Sequence, residues 1–318
     1  MIAIVCTNYG PPEVLKIKEV EIPAPKNNEV LIKIHSTAVT ASDCIVRGFK
    51  LPRWSLIGLM MRIAIGFKKP RKSILGMVLA GEIESVGKDV KRFKKGDQVF
   101  GWTLKSGFTI RFGTYAEYKC LPQNSVIALK PSNASYEEAA AIPYGGLIAL
   151  HYLKKGNIQS RKKVLIYGAS GAIGTSAVQI ARHFGAEVTG VCSTKNLELV
   201  KSLGAERVID YTKEDPSDIK ESYDFILDAV GKNKKSDFKS HCKRILTPKG
   251  KYISVDDGSP MAKIEDLILL KKLVEAGKLK PVIDRSYSLE QMVEAHRYVD
   301  KGHKKGNVVI TLEHNNKA

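Results

Sequence analysis

Residues 29–39 read EVLIKIHSTAV, with apolar and polar side chains alternating as they do on a strand that buries one face. Similar short stretches surround it: IAIVCT, VLKIKEVEIP, LAGEIESVG, DQVFGW and GTYAEYKCL, each bounded by Gly, Pro or a Lys-Gly-Asp turn. A series of short strands with such turns predicts a barrel-like β domain. The texture changes near residue 131. SNASYEEAAAIPYGGLIALHYL carries a helix start at Ser135 and small apolar residues throughout. Beyond it, apolar runs (KVLIY, EVTGVCS, RVIDY, DFILDAVG, KYISV) alternate with helical stretches (TSAVQIARHFG, NLELVKSLG, KSDFKSHCKRIL). Strands that are apolar on both sides fit a parallel sheet covered by helices on both faces. Two amphipathic helices, KIEDLILLKKLVEAG and LEQMVEAHRYVDKG, and a strand, NVVITL, close the chain.

The chain has 318 residues, 43% hydrophobic and 26% charged, so it is neither disordered, collagen-like nor a disulfide scaffold. Charge is the unusual quantity: 51 Lys and Arg against 33 Asp and Glu give a net +18. Such a field attracts nucleotide phosphates, nucleic acid or an acidic membrane surface, or it is a lysine-rich solvated surface. Cysteines at 6, 44, 120, 192 and 242 form no C-x2-C pair and read as reduced thiols. The opening MIAIVCTNYGPPE lacks the basic start of a signal peptide. No run reaches the ~18 apolar residues of a membrane span; WSLIGLMMRIAIGF is interrupted by Arg62. A soluble, cytoplasmic protein is expected.

The chemistry starts at GASGAIG, directly after KVLIY and directly before a helix. Glycines permit a tight turn and close approach of the backbone to a pyrophosphate, while the helix start offers N–H donors. In this strand–turn–helix context, Gly168, Ala169, Ser170, Gly171, Ala172, Ile173 and Gly174 are candidates to hold a dinucleotide. The end of the next strand selects between cofactors. An NAD site usually places Asp or Glu there for the ribose 2′-hydroxyl. Here stand Cys192, Ser193, Thr194 and Lys195, hydroxyls and an ammonium suited to a 2′-phosphate, so NADPH is expected over NADH. Asp228 to Gly231 and Ser254 to Gly258 follow later strands, where ligands bind in open α/β sheets, which adds Val230 and Ser254 to the cofactor set.

On YGPPEVLKIKEVEIP, LAGEIESVGKDVKRFKKGDQVFG, AAIPYGGLIALHYL, GASGAIG, ELVKSLGAERVIDY and KGNVVITL, the chain resembles the medium-chain dehydrogenase/reductase superfamily, most closely its zinc-free quinone oxidoreductase and enoyl-reductase branch. The resemblance implies an α/β fold: a Rossmann doubly wound parallel sheet plus a GroES-like β-barrel catalytic domain. The expected domains are 1–125 (catalytic), 126–260 (nucleotide-binding) and 261–318 (return to the catalytic domain). It also implies that Tyr211 lies near the 2′-phosphate and that Gly306 and Asn307 reach the cofactor. Zinc-dependent relatives carry a metal-binding Cys before a Ser/Thr-Asp pair and a Gly-His-Glu further on; this chain has Thr40 before Ser42 and Asp43, and Met77 with Val78. Thr and Met are not a Zn²⁺ donor set, so no metal is expected. Without a Lewis acid, polarisation falls to hydrogen bonds, and acceptors that spread negative charge, quinones or α,β-unsaturated carbonyls, suit that best. Thr40, Ser42 and Tyr144 are the candidate catalytic donors, with Asp43 as an orienting carboxylate. Zinc-free relatives often have Asn in place of Thr40, and Asp43 equally reads as a structural turn residue.

LPRWSLIGLMMRIAIGFKKPRK (51–72) is too apolar for a solvated loop. It reads as a helical cap with Trp54, Met60 and Met61 lining an apolar substrate pocket, with a core-covering helix and an interfacial anchor as alternatives. Two other functions stay open: an NADPH-binding protein that mainly binds a polyanion such as RNA, through KKPRK (68–72) and KNKK (232–235), or a zinc-free alcohol or carbonyl oxidoreductase. The basic clusters lack interleaved aromatics, which disfavours nucleic acid. Pairing of two copies as a homodimer is a further open alternative.

Overall fold

Contacts within the computed structural model divide the chain into two units, Met1–Pro143 with Ile283–Ala318, and Tyr144–Val282. Residues 1–49, 56–103, 111–231 and 236–314 are described. Trp54, the tract 232–235 and part of GWTLKSGFTIRFG lie outside them.

The first unit contains β1 (Ile2–Cys6), β2 (Leu15–Glu19), β3 (Glu29–Val39), α1 (Ala41–Gly48), α2 (Leu56–Ile65), β4 (Val78–Val86), β5 (Gln98–Trp102), β6 (Tyr118–Pro122), β7 (Val126–Leu129) and α3 (Tyr136–Ala141). The second holds α4 (Pro143–Lys155), β8 (Lys163–Tyr167), α5 (Ala172–His183), β9 (Glu187–Cys192), α6 (Leu197–Ser202), β10 (Arg207–Asp210), β11 (Tyr223–Asp228), α7 (Asp237–Cys242), β12 (Leu246–Ser254) and α8 (Ile264–Glu275). The chain then returns to the first unit through β13 (Ile283–Ser288), α9 (Met292–Asp300) and β14 (Asn307–Thr311).

In the first unit a seven-stranded sheet runs β13-β14-β3-β4-β5-β7, with β6 also on β3. The alternation read in 29–39 is the strand β3 itself, with Val30, Ile32 and Ile34 fully buried. The helix start expected at Ser135 is a capping box: the Ser135 hydroxyl accepts from the Glu138 N–H, and the Glu138 carboxylate accepts from the Ser135 N–H. That helix, α3, is short, because Pro143 opens a separate helix, α4.

The second unit carries a parallel sheet in the order β10-β9-β8-β11-β12, the doubly wound arrangement expected from the apolar strands. Leu165, Val191, Ile209, Ile226, Phe238 and Ile245 form part of one buried cluster on it. The order reverses between β8 and β11, so the crevice for a ligand opens at their C-terminal ends.

Both units extend past the boundaries expected at 125/126 and 260/261. Strand β7 pairs with β5 and keeps residues beyond 125 in the first unit. Helix α8, just beyond 260, belongs to the second.

Candidate active site

The turn after β8 has the shape its residues suggested. Gly168 adopts φ +82°, a left-handed conformation that side chains disfavour, and a Cβ there would meet Val230 Cγ2 at 2.5 Å. Its N–H and that of Ala169 both donate to the Val191 carbonyl at 3.0 Å, tying the turn to β9. At Gly174 a Cβ would stand 2.1 Å from the Gly168 carbonyl oxygen, so only glycine lets α5 approach the turn this closely. Gly171 is the N-cap of α5 and no side chain caps it. Thr175 N–H, donating to Gly171 O at 2.9 Å, is the first to find a partner four residues back, which leaves Ala172, Ile173 and Gly174 N–H without one within the helix. Ser170, Gly171 and Ile173 keep partial exposure at this end. Three N–H groups and the positive end of a helix dipole are directed at one place, an arrangement that suits a pyrophosphate.

The other cofactor candidates of this unit follow the C-terminal ends of successive strands: Ser193 after β9, Tyr211 after β10, Val230 after β11, and Ser254 at the end of β12. Asn196, which the motif reading missed, joins two of these places. Its side-chain amide donates to Ser170 Oγ at 3.0 Å and Ser193 Oγ at 3.3 Å. Lys195 is exposed, and Tyr211, 47% exposed, meets the Tyr167 ring edge-on. Thr194 is different: its hydroxyl donates to Asp210, which also accepts from the Thr212 hydroxyl and N–H. The Asp210 carboxylate is thus engaged by its own neighbours. At β11, buried Asp228 accepts from Val230 N–H at 3.0 Å and Gly231 N–H at 3.1 Å, and pairs with Lys239 Nζ at 2.7 Å, fixing the loop that carries Val230. Tyr144 stands in the first turn of α4. A Cβ at its neighbour Gly145 would lie 2.2 Å from the Ala172 carbonyl, so this turn lies against the start of α5.

In the first unit, Thr40 and Asp43 form a reciprocal cap on α1. Asp43 Oδ2 accepts from Thr40 Oγ1 at 2.6 Å and Thr40 N–H at 2.9 Å, and Thr40 Oγ1 accepts from Asp43 N–H at 3.2 Å. Ser42, in the same turn, is half-buried. The register that sets Val308 opposite Val39 brings Asn307 and Gly306 next to Thr40, and Lys304 Nζ donates to the Gly306 carbonyl. Two clusters of candidates therefore form, one in each unit. Met60 and Met61 fall in α2, and their side chains lie outside what is described.

Burial pushes the Asp43 carboxyl up to about 6, although its bonds from Thr40 favour the charged form. A raised carboxylate has a definite sign. Its contribution is most favourable below the unfolded value near 3.8 and is lost as pH rises through about 6. Asp43→Asn should therefore gain stability relative to the parent protein between pH 4 and pH 7.5, by about 2 kcal/mol. Urea unfolding at the two pH values tests this; a constant difference between the proteins would refute it.

The positions where zinc-dependent relatives hold their metal do not fit one here. The Thr40 hydroxyl is committed to Asp43, Met77 is a buried thioether 2% exposed, and Val78 is hydrocarbon. Among the described residues, no group of three or more His, Cys, Asp or Glu could hold a metal ion.

Comparisons with known proteins agree with this architecture. Residues 26–131 match the alcohol dehydrogenase GroES-like domain, and 172–276 match the zinc-binding dehydrogenase domain. Across 96% of its length the chain is 34% identical to the 2-methylene-furan-3-one reductase of Solanum lycopersicum, covering 77% of that protein. The chain belongs to the medium-chain dehydrogenase/reductase superfamily, in its quinone oxidoreductase-like branch. It is an oxidoreductase with a nicotinamide-dinucleotide fold. It is also 30% identical, over 98% of its length and 79% of the relative's, to the chloroplastic NADPH-dependent alkenal/one oxidoreductase of Arabidopsis thaliana. The quinone oxidoreductase of Coxiella burnetii superposes with a TM-score of 0.85 at 29% identity, covering 98% of this chain and 99% of that one.

Proposed function

We propose that this protein is a zinc-free, NADPH-dependent reductase of quinones or α,β-unsaturated carbonyls. The observation that carries the reading is an intact dinucleotide turn combined with Thr40, Met77 and Val78 at the family's metal positions. The names of relatives that reduce an alkenal, an enone or a quinone support the same substrate class.

In this reading the N–H groups of Ala172, Ile173 and Gly174 hold the pyrophosphate. Ser193 and Lys195 receive the 2′-phosphate, with Tyr211 beside it, while Val230, Ser254, Gly306 and Asn307 bound the rest of the cofactor. Bound NADPH supplies the hydride. The chain's own part is to polarise the acceptor oxygen with hydroxyls, Ser42 and Tyr144 being the candidates that keep this role, because Thr40 gives its single O–H to Asp43 and would serve only if that bond were exchanged for one to the substrate. A hydrogen bond stabilises a developing oxyanion less than a metal ion does, so conjugated acceptors that delocalise the charge are favoured over simple alcohols and ketones. Trp54, Met60 and Met61 are proposed to line the apolar part of the substrate pocket.

A panel of benzoquinones, enones, alkenals and simple alcohols, assayed with NADPH and NADH, tests the proposal. Reduction of the conjugated acceptors with NADPH, and no alcohol turnover, is expected. Lys195→Ala should raise the NADPH KM by roughly tenfold and leave NADH use almost unchanged. Equal kinetics with both cofactors in the parent protein would remove the NADPH assignment.

A further inference from the structure

Helix α2 and the turn after it present a surface that the hydride chemistry does not use. Leu59 and Ile63 stand one helical turn apart on one face, 48% and 53% exposed, and Phe67 follows just beyond the helix at 54%. Lys68, Lys69, Arg71 and Lys72 come next, all exposed. From Cys44 to Gly81 the sequence holds eight Lys and Arg and no Asp or Glu.

This face is fastened to the barrel unit. The Arg62 guanidinium lies 4.4 Å from the Phe49 ring centroid and donates to the Phe67 carbonyl at 2.7 Å. The Tyr9 hydroxyl donates to the Gly66 carbonyl at 3.0 Å, and Arg71 N–H donates to the Ile65 carbonyl at 2.7 Å. The helix therefore keeps its aliphatic face outward without being loose.

We propose that α2 and the basic turn 67–72 dock this protein on the surface of an anionic lipid bilayer. The apolar residues enter the acyl boundary and the cations meet the headgroups, which is how a helix with one apolar face and adjacent Lys/Arg binds a membrane. Charge complementarity selects this occupant. A symmetric second copy would bring two basic clusters together, at a repulsive cost. A nucleic acid would satisfy the cations but leave Leu59 and Ile63 in water, with no aliphatic role in base recognition. Among the described residues no helix is long and apolar enough to cross the membrane, so the contact is peripheral.

The test is co-sedimentation of the full-length protein with phosphatidylcholine vesicles, with and without phosphatidylglycerol, at low and high salt. Binding is expected only with phosphatidylglycerol and should fall with salt. Lys68→Gln/Lys69→Gln should weaken it about 25-fold, and Ile63→Ala/Phe67→Ala roughly tenfold or more, with unchanged thermal melts. Lys91→Gln/Lys94→Gln, an exposed pair elsewhere on the unit, should leave binding nearly intact and so separate this site from net charge. Equal binding to vesicles of either composition would overturn the proposal. So would an equal loss from the Lys91/Lys94 pair, or full binding by Ile63→Ala/Phe67→Ala, which marks a surface for any polyanion. A dimer in sedimentation that this last variant converts to monomer would assign the face to a second copy instead.

Discussion

Gly174→Val is expected to raise the Kd for the nicotinamide cofactor by about 100-fold or more, because losing two charge-assisted N–H contacts at about 1.5–3 kcal/mol each amounts to at least that factor. A Cβ at 174 lies 2.1 Å from the Gly168 carbonyl oxygen and 2.7 Å from Ala169 Cα, both backbone atoms with no flexible end to swing away. Helix α5 must back off from the turn, and the N–H groups of Ala172 to Gly174 move with it. The same overpacking should cost about 1–3 kcal/mol of stability. Gly171 provides the contrast. Its φ of −80° suits any residue, and among the described residues beyond its own helix and chain neighbours an added Cβ meets only the Gly168 carbonyl oxygen within 4 Å, at 3.6 Å. Gly171→Asp should therefore fold as well as the parent, its carboxylate capping α5, yet repel a phosphate from the turn. Fluorescence titration with NADPH, paired with thermal melts, separates the two: affinity and stability fall together at 174, affinity alone at 171. Normal binding by Gly174→Val would mean that the dinucleotide sits elsewhere.

What could be read from the sequence was whatever one short stretch encodes by itself. The alternation in EVLIKIHSTAV gave β3 to the residue, and the apolar runs KVLIY and NVVITL gave β8 and β14 nearly so, because periodicity is a local property. The glycine turn was legible for the same reason. Helix α1 is not legible in the same way, although a T-x-x-D capping box starts it. Thr40 and Asp43 read as candidates for chemistry, and their reciprocal bonds also make a helix cap, so one pair of residues carries two readings. Asn196 could not be found by pattern, since its value lies in bridging Ser170 and Ser193, residues that only the parallel sheet brings together. Strand β13 lacks a strong apolar run, with Ile283 to Ser288 partly or fully exposed, and it is defined by pairing with β14. Strand β7 stands with the barrel unit because β5 receives it, a contact that composition does not reveal.

Asp300→Ala is expected to destabilise the protein by about 3–5 kcal/mol, lowering Tm by on the order of 10 °C. Arg47, on α1, is 1% exposed, and its Nη2 donates to Asp300 Oδ2 on α9 at 2.6 Å across 253 residues of sequence. Among the described residues Nε and Nη1 find no hydrogen-bond partner, so this carboxylate is the charge that compensates a buried guanidinium. Removing it strands a cation that cannot lose its proton. The reverse substitution is gentler. Asp300 keeps 21% of its side-chain surface, so in Arg47→Met it turns to water, and a cost of roughly 1–3 kcal/mol is expected. The double variant should recover much of the loss in Asp300→Ala, since a buried ion pair replaced by apolar groups is often close to neutral. His296 gives an independent readout. Burial, and then the Arg47 charge, hold its imidazole down to about 3 while it lies 3.4 Å from the Cys44 sulfur. In Arg47→Met the His296 titration, followed by NMR, should move upward while burial keeps it below the ordinary value. Equal costs for the two single variants, with an unmoved His296, would mean that the pair only fills space between α1 and α9.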